Sequence, residues 1–132
     1  MTQKPRPPLI LIVEDDPASL LLGRVTLEGD GFAVEGAGSA EEARALISRR
    51  RPQLILMDIR LPGMDGLEFT KELKSNPDTA AIPVIARTAH AMPLYERAAR
   101  AAGCAGFISK LAGPTVLRTE VRAYLQSRGI TQ

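Results

Sequence analysis

Short, continuous apolar runs are the feature that most constrains how this chain can fold. The runs 9–13 and 54–57 contain no polar residue, whereas a strand with one face in water would alternate apolar and polar side chains. Uninterrupted strands of this kind are typical of a parallel sheet that helices cover on both faces. The chain therefore predicts an α/β fold.

Strand and helix patterns follow one another in five strand–helix units. Two helix starts are well marked, by the N-cap and proline pair Asp16-Pro17 and by the capping box from Ser39 to Glu42. Right-handed crossovers leave few topologies, and we expect a flavodoxin-like, doubly wound parallel sheet with strand order 2-1-3-4-5. The predicted elements are strand 9–13, helix 17–28, strand 32–35, helix 40–50, strand 53–58, helix 67–75, strand 83–88, helix 94–102, strand 106–109 and helix 114–127.

The length of 132 residues suits one domain, with too little chain for a second core. Residues 1–8 are rich in proline and are predicted to form a disordered arm, 9–127 the domain, and 128–132 a short tail. No apolar run approaches the ~20 residues that span a bilayer, so we expect a cytoplasmic protein without membrane contact. The single Cys104 rules out an internal disulfide.

The net charge of +2 conceals an uneven distribution of charge. From residue 87 onward the chain has seven of its 17 basic side chains and two of its 15 acidic ones. With no Trp and few aromatic residues, it lacks the stacking surface that single-stranded nucleic acid requires, and no direct nucleic-acid binding is expected. An acidic protein partner or a salt-bridged dimer fits the basic residues of the last two helices, which are Arg97, Arg100, Arg118 and Arg122.

Carboxylates follow two strands that the expected topology makes neighbours. Asp58 ends the third strand, and Glu14 and Asp15 follow the first. Three converging carboxylates would raise one another's pKa unless a cation lay among them, and Mg²⁺ is a hard cation that takes oxygen ligands. The residues therefore predict a Mg²⁺ site where the strand order reverses.

Two further polar residues, Thr88 and Lys110, end the fourth strand and follow the fifth at the same edge. Asp58 can attack phosphorus as a carboxylate nucleophile and form an aspartyl phosphate. Lys110 would add a positive charge, and Thr88 would donate a hydrogen bond to a phosphoryl oxygen. These residue types suit phosphoryl transfer to Asp58, with Mg²⁺ on Asp15 and Asp58 and with Glu14 acting through water.

Four short motifs, each at a strand end, carry a family resemblance. They are Leu-Ile-Leu-Ile-Val-Glu-Asp-Asp-Pro at 9–17, Leu-Met-Asp-Ile-Arg-Leu-Pro-Gly-Met-Asp-Gly at 56–66, Arg-Thr-Ala at 87–89 and Gly-Cys-Ala-Gly-Phe-Ile-Ser-Lys at 103–110. In this order they resemble the receiver domain of two-component response regulators over about residues 9–125, and single-domain regulators of the DivK type above all. The resemblance implies that Asp58 accepts phosphate from a histidine kinase or a histidine phosphotransfer protein.

The resemblance implies further roles around the acceptor. The backbone carbonyl of Arg60 would be another Mg²⁺ ligand, and Phe107 would turn inward as Thr88 moves toward the phosphate, although Phe107 can also be a plain core residue. A downstream protein would read the fourth helix, fifth strand and fifth helix, from a monomer or a phosphorylation-dependent dimer. Such a switch is no enzyme beyond self-catalysed phosphoryl transfer to Asp58 and autodephosphorylation.

Some residues depart from the family's usual pattern or modulate the site. Leu111 replaces the proline that usually follows the lysine in a cis peptide, so a trans peptide and a rearranged loop are expected. Arg87 stands where an aliphatic residue is usual, and we expect its guanidinium to reach solvent or to pair with a carboxylate. Arg60 and His90 occupy positions that flank the phosphoryl group in this family, where they would shield it from water.

Three other interpretations stay open. A Mg²⁺-dependent phosphohydrolase would place a second acid two residues after Asp58, where this chain has Arg60, and would need room for a cap. A receiver that binds partners without phosphate is compatible with Leu111. The chain can also be a receiver cut from a larger regulator or a hybrid kinase.

Overall fold

The computed structural model describes residues 6–89 and 93–129. Most of the predicted N-terminal arm, the end of the predicted tail, and His90 lie outside these ranges. The elements of the described part, in chain order, are β1 Leu9–Val13, α1 Pro17–Gly29, β2 Ala33–Ala37, α2 Ala40–Arg49, β3 Leu54–Asp58, α3 Gly66–Ser75, β4 Val84–Thr88, α4 Pro93–Ala102, β5 Gly106–Ser109 and α5 Gly113–Ser127.

The strands form one parallel sheet in the order β2-β1-β3-β4-β5. This is the flavodoxin-like, doubly wound α/β topology that the sequence predicts. Strand order reverses between β1 and β3, which pair directly, with Val13 opposite Met57 at the carboxyl end. The crevice beyond these two strand ends is where open α/β sheets bind their ligands.

The sheet is buried on both faces, as the continuous apolar runs require. On one face Met57 and Val84 pack with residues of α2, α3 and α4, among them Phe69. On the other face Ile12 and Leu56 pack with residues of α1 and α5. Each fully buried large apolar side chain contributes about 1.5–3 kcal/mol to folding, so these two layers hold the sheet rigid beneath the strand ends.

Most element boundaries agree with the sequence to within one residue, and β2 is the exception. It begins at Ala33 and extends to Ala37, two residues beyond the predicted end. Phe32 belongs to the preceding turn, because its N–H donates to the carbonyl of Leu27. Gly36 and Ala37 have low strand propensity, but pairing with β1 and the bond from Glu14 N to Ala37 O hold them in the sheet.

The loop after β5 contains a short 3-10 turn, Lys110–Ala112, that the sequence analysis did not predict. The Ser109 hydroxyl accepts a hydrogen bond from Leu111 N at 3.1 Å and so caps this turn. No cis peptide occurs among the described residues, which confirms the expected trans bond before Leu111. Leu111 is 82% exposed. It therefore does not change the direction of Lys110, which the end of β5 sets.

Candidate active site

An open cleft of about 370 Å³ lies at the carboxyl edge of the sheet. Its floor comes from the ends of β1, β3 and β4 and from the start of the 3-10 turn. It brings together all five polar residues that the sequence places at this edge. The cleft is lined by Glu14, Asp15, Asp16, Ser19, Asp58, Arg60, Thr88, Ala89 and Lys110.

The three carboxylates form a compact cluster. Glu14, Asp15 and Asp58 each offer an oxygen, and these oxygens all lie within 4.8 Å of one another. Glu14 and Asp58 are 2% and 7% exposed, whereas Asp15 is open to solvent. A cluster that offers only oxygen donors, with one side open to water, fits a hard divalent cation such as Mg²⁺.

Burial and mutual repulsion act most strongly on Glu14. Burial raises the pKa of its carboxyl group, the neighbouring Asp58 carboxyl group raises it further, and the nearby Lys110 opposes both effects. The Asp16 N–H also donates to Glu14 Oε2 at 3.2 Å. The cluster therefore carries more negative charge than this environment favours, a condition that a bound cation relieves.

Lys110 reaches the cluster in spite of the residue that follows it. Its Nζ forms an ion pair with Glu14 Oε1 and lies 3.3 Å from Asp58 Oδ2. The side chain is largely buried against the cleft wall. The expectation that Lys110 lies at this edge is confirmed, so the missing proline does not displace its ammonium group from the carboxylates.

The loop after β3 fixes the Asp58 carboxylate. Arg60 N donates to Asp58 Oδ1 at 3.1 Å, and Gly66 N donates to the carbonyl of Ile59 at 2.9 Å. Gly66 approaches so closely that a Cβ there would lie 1.9 Å from the Asp58 carbonyl oxygen. Sequence reasoning missed the role of Gly66, although its position beside Asp65, the N-cap of α3, is a usable signal.

The proposed switch residues occupy neighbouring strands. Thr88 is buried at the end of β4 and lines the cleft. Phe107, in β5 opposite Ala86, is half-buried and packs against the core layer beneath α2, α3 and α4. Its partial burial suits both a core role and an inward rotation, so the switch role stays a prediction.

The structure describes only one of the two residues that are predicted to shield the phosphoryl group. Arg60 lines the cleft and is exposed, with its Nη2 3.5 Å from the hydroxyl of Tyr95. His90 lies outside the described residues. The use of the Arg60 carbonyl as a metal ligand also stays a prediction.

Arg87 does not behave as the sequence analysis expects. Its side chain is 6% exposed, and its Nη1 has no hydrogen-bond partner among the described residues. Burial lowers the pKa of the guanidinium, while the charges of Glu14 and Asp58 oppose this shift. The prediction that Arg87 reaches solvent or pairs directly with a carboxylate is therefore wrong, because the register of β4 directs it beneath α1.

Cys104 is a packing residue. It is buried in the layer beneath α2, α3 and α4, where its thiol lies 3.9 Å from the Thr70 hydroxyl. Burial raises the pKa of this thiol, which makes it a poor nucleophile.

Within the described ranges, none of the helices has the length and apolar character that crossing a bilayer requires.

Comparison with known proteins gives a consistent assignment. Residues 10–122 match the family model of the response regulator receiver domain. The polar-differentiation response regulator DivK of Brucella anthropi is 41% identical over 120 residues, which is 90% of this chain and 97% of that protein.

Solved structures agree with the sequence comparison. A candidate response regulator from Chloroflexus aurantiacus superposes with a TM-score of 0.87 at 31% identity, covering 91% of this chain and 98% of that one. The signal receiver domain of a histidine kinase from Syntrophus aciditrophicus gives a TM-score of 0.84 at 34% identity, with 95% of each chain covered. By its sequence motifs, strand order and acidic cleft, this chain belongs to the response regulator receiver domain family and is DivK-like.

Proposed function

We propose that this receiver domain is a phosphorylation-activated switch in which Asp58 accepts a phosphoryl group from a histidine kinase or a histidine phosphotransfer protein. The observation that carries the proposal is the setting of the Asp58 carboxylate, which the Lys110 ammonium and the Arg60 backbone N–H hold at the floor of an open cleft. Lys110 Nζ lies 3.3 Å from Oδ2, and Arg60 N lies 3.1 Å from Oδ1. The proposal includes a cytoplasmic location, where ATP-dependent kinases act.

In the transfer itself, an Asp58 carboxylate oxygen attacks the phosphorus of a phosphohistidine. The P–N bond breaks as the O–P bond forms, and the bonding electron pair remains on the imidazole nitrogen. Lys110 would offset charge on the phosphoryl oxygens, and Thr88 lines the same cleft. Apart from this transfer and the later autohydrolysis of the aspartyl phosphate, we assign the protein no enzymatic activity.

The carboxylates of Glu14, Asp15 and Asp58 would hold Mg²⁺ in this cleft, with the Arg60 carbonyl as a further ligand. When bound, the metal ion would supply positive charge against the phosphoryl oxygens. The spacing of the three carboxylate oxygens and the all-oxygen donor set support this assignment.

We further propose that the signal is read on the face formed by α4, β5 and α5. Phe107 supports this reading, because it is half-buried in β5 beside the strand that ends in Thr88. The basic character of this face is smaller than the sequence suggests. Arg100 lies 3.4 Å from Glu96 and Arg122 lies 2.6 Å from Asp30, so two of its four arginines already pair within the chain.

The test is intact mass spectrometry after incubation with Mg²⁺ and acetyl phosphate. We expect the protein to gain one phosphoryl group, and we expect the gain to disappear in Asp58→Asn and after chelation of the metal. Asp78→Asn is the matched control, because Asp78 is an exposed aspartate in the turn before β4 and should leave the gain unchanged.

Two results would contradict the proposal in different ways. A phosphoryl gain that persists in Asp58→Asn would place the acceptor elsewhere. No gain in the folded parent protein, together with no Mg²⁺ binding, would favour a receiver that binds partners without phosphate.

A further inference from the structure

The buried guanidinium of Arg87 lies beneath the acidic cluster. It is on the face of the sheet opposite the core layer beneath α2, α3 and α4. Arg87 in β4 is the register partner of Asp58 in β3, on a neighbouring strand about 4.8 Å away. Side chains alternate along a strand, so Arg87 projects to the same face as Ile85, which packs in the layer beneath α1 and α5. Glu14 and Asp58 both attract its charge.

The space that Arg87 occupies exists because α1 has a glycine there. A Cβ at Gly23 would lie 3.3 Å from Arg87 Nη1 and 3.1 Å from Ile12 Cδ1, closer than ordinary van der Waals contact. Glycine is a poor residue for the interior of a helix, so its presence at this point of α1 needs a packing reason. The Ile12 side chain and the Arg87 guanidinium, both close to the helix backbone at Gly23, supply that reason.

Lys110 and Arg87 therefore place positive charge on two sides of the cluster. Lys110 contacts it from the cleft, where it is partly exposed, whereas Arg87 approaches from the interior and is 6% exposed. An ammonium at the cleft rim can move aside when a cation enters. A guanidinium that is 6% exposed and packed against α1 has no such freedom, so its charge stays beside the cluster.

We propose that Arg87, seated in the space left by Gly23, is a fixed internal counter-charge that holds Glu14 and Asp58 together without a metal ion and weakens Mg²⁺ binding at the cleft. Arg87 is a positioning residue, since it acts through the two carboxylates. The inference rests on the proposed function only in taking these carboxylates as the metal site. Its physical basis is the attraction of a buried cation for the carboxylates and its repulsion of a second cation.

The first test is Mg²⁺ titration by isothermal calorimetry on metal-free protein. Arg87→Met removes the positive charge and keeps an unbranched side chain. We expect this variant to bind Mg²⁺ about tenfold more tightly than the parent, because a buried positive charge no longer repels the ion. Arg87→Lys keeps the charge and should stay within about threefold of the parent. Equal or weaker binding by Arg87→Met overturns the inference, as does the absence of Mg²⁺ binding in both proteins.

The second test needs no metal. Urea unfolding in the presence of a chelator is measured for Arg87→Met, Asp58→Asn and the double variant, and the double-mutant cycle gives their coupling. We expect the unfolding equilibrium constants to couple by about fivefold or more, with Arg87→Met better tolerated once Asp58 is neutral. Asp78→Asn replaces Asp58→Asn as the control pair and should show no coupling; equal coupling in both cycles overturns the inference.

Arg87→Met leaves unfilled volume beside Gly23, so a repacked variant guards against loss of folding. Gly23→Ala combined with Arg87→Met adds one methyl group beside the space that the guanidinium leaves, and this variant should also bind Mg²⁺ more tightly than the parent. These tests separate the two proposals. Tighter Mg²⁺ binding without phosphoryl gain at Asp58 would leave this inference standing and remove the proposed function, and phosphoryl gain with unchanged Mg²⁺ affinity would do the reverse.

Discussion

At the scale of single residues, two glycines determine where the charged residues beside them can lie. Gly23 admits the Arg87 guanidinium beneath α1, and Gly66 lets α3 start against the Asp58 backbone. Sequence reasoning found the carboxylates and Lys110, because a strand end fixes where a side chain lies. It missed both glycines and the burial of Arg87, because these depend on which atoms of distant segments come together.

Gly66→Ala should destabilise the protein strongly. The new Cβ would lie 1.9 Å from the carbonyl oxygen of Asp58, so either α3 or the end of β3 must shift. We expect a loss of at least about 3 kcal/mol in the free energy of unfolding, measured by urea denaturation. In any folded fraction the displaced Asp58 should accept less phosphate.

The matched control for this substitution is Gly29→Ala. Gly29 also belongs to a helix, but a Cβ there would meet nothing within 4 Å. Because alanine is the better helix former, we expect no loss and a gain of up to about 0.5 kcal/mol. Similar stabilities for the two variants would show that Gly66 has more room than its contact with Asp58 indicates.

At the scale of elements, the helix starts were predictable and the edge strand was not. Asp16 accepts a hydrogen bond from Ser19 N at 3.0 Å, and Ser39 Oγ accepts one from Glu42 N at 3.2 Å, so both predicted N-caps are confirmed. Cap residues can be recognised in a sequence by their residue type and by their position at the start of a helical pattern. The end of β2 depends instead on backbone pairing with β1, which residues such as Gly36 do not reveal.

Ser39→Ala should destabilise α2 by about 1 kcal/mol, because the Glu42 N–H would lose its side-chain acceptor. The Glu42 carboxylate accepts from Gly38 N at 2.7 Å and would keep part of the cap. Urea unfolding gives the difference. Ser48→Ala, at an exposed position in the same helix, should change stability by less than about 0.5 kcal/mol; an equal loss in both variants would argue against the cap.

At the scale of the whole molecule, the fold was predictable because its pattern is redundant. Of the five strands in the part of the chain that the structure describes, three are buried along their whole length, namely β1, β3 and β4, and each is followed by a helix. Right-handed crossovers then leave the order β2-β1-β3-β4-β5 as the expected one, and the pairing of β1 with β3 in that order brings Glu14 and Asp58 together. The cleft is thus a consequence of topology, whereas its fine electrostatics depend on packing.

The same dependence on topology makes Mg²⁺ a probe of the entire fold. The three carboxylates come from the ends of β1 and β3, more than 40 positions apart in the chain, and they meet only when the sheet is formed. A cation that binds the folded chain and not the unfolded one stabilises it by about 2.7 kcal/mol at a hundred times its Kd, which raises the melting temperature by several degrees in a domain of this size. We therefore expect a saturable rise in Tm with Mg²⁺ that a chelator reverses and that Asp58→Asn reduces. NaCl at matched ionic strength should give a much smaller change, because screening relieves only part of the repulsion within the carboxylate cluster. A rise of equal size with NaCl, or an undiminished rise in Asp58→Asn, would mean that the ions act on the surface charge of the molecule rather than at the strand ends.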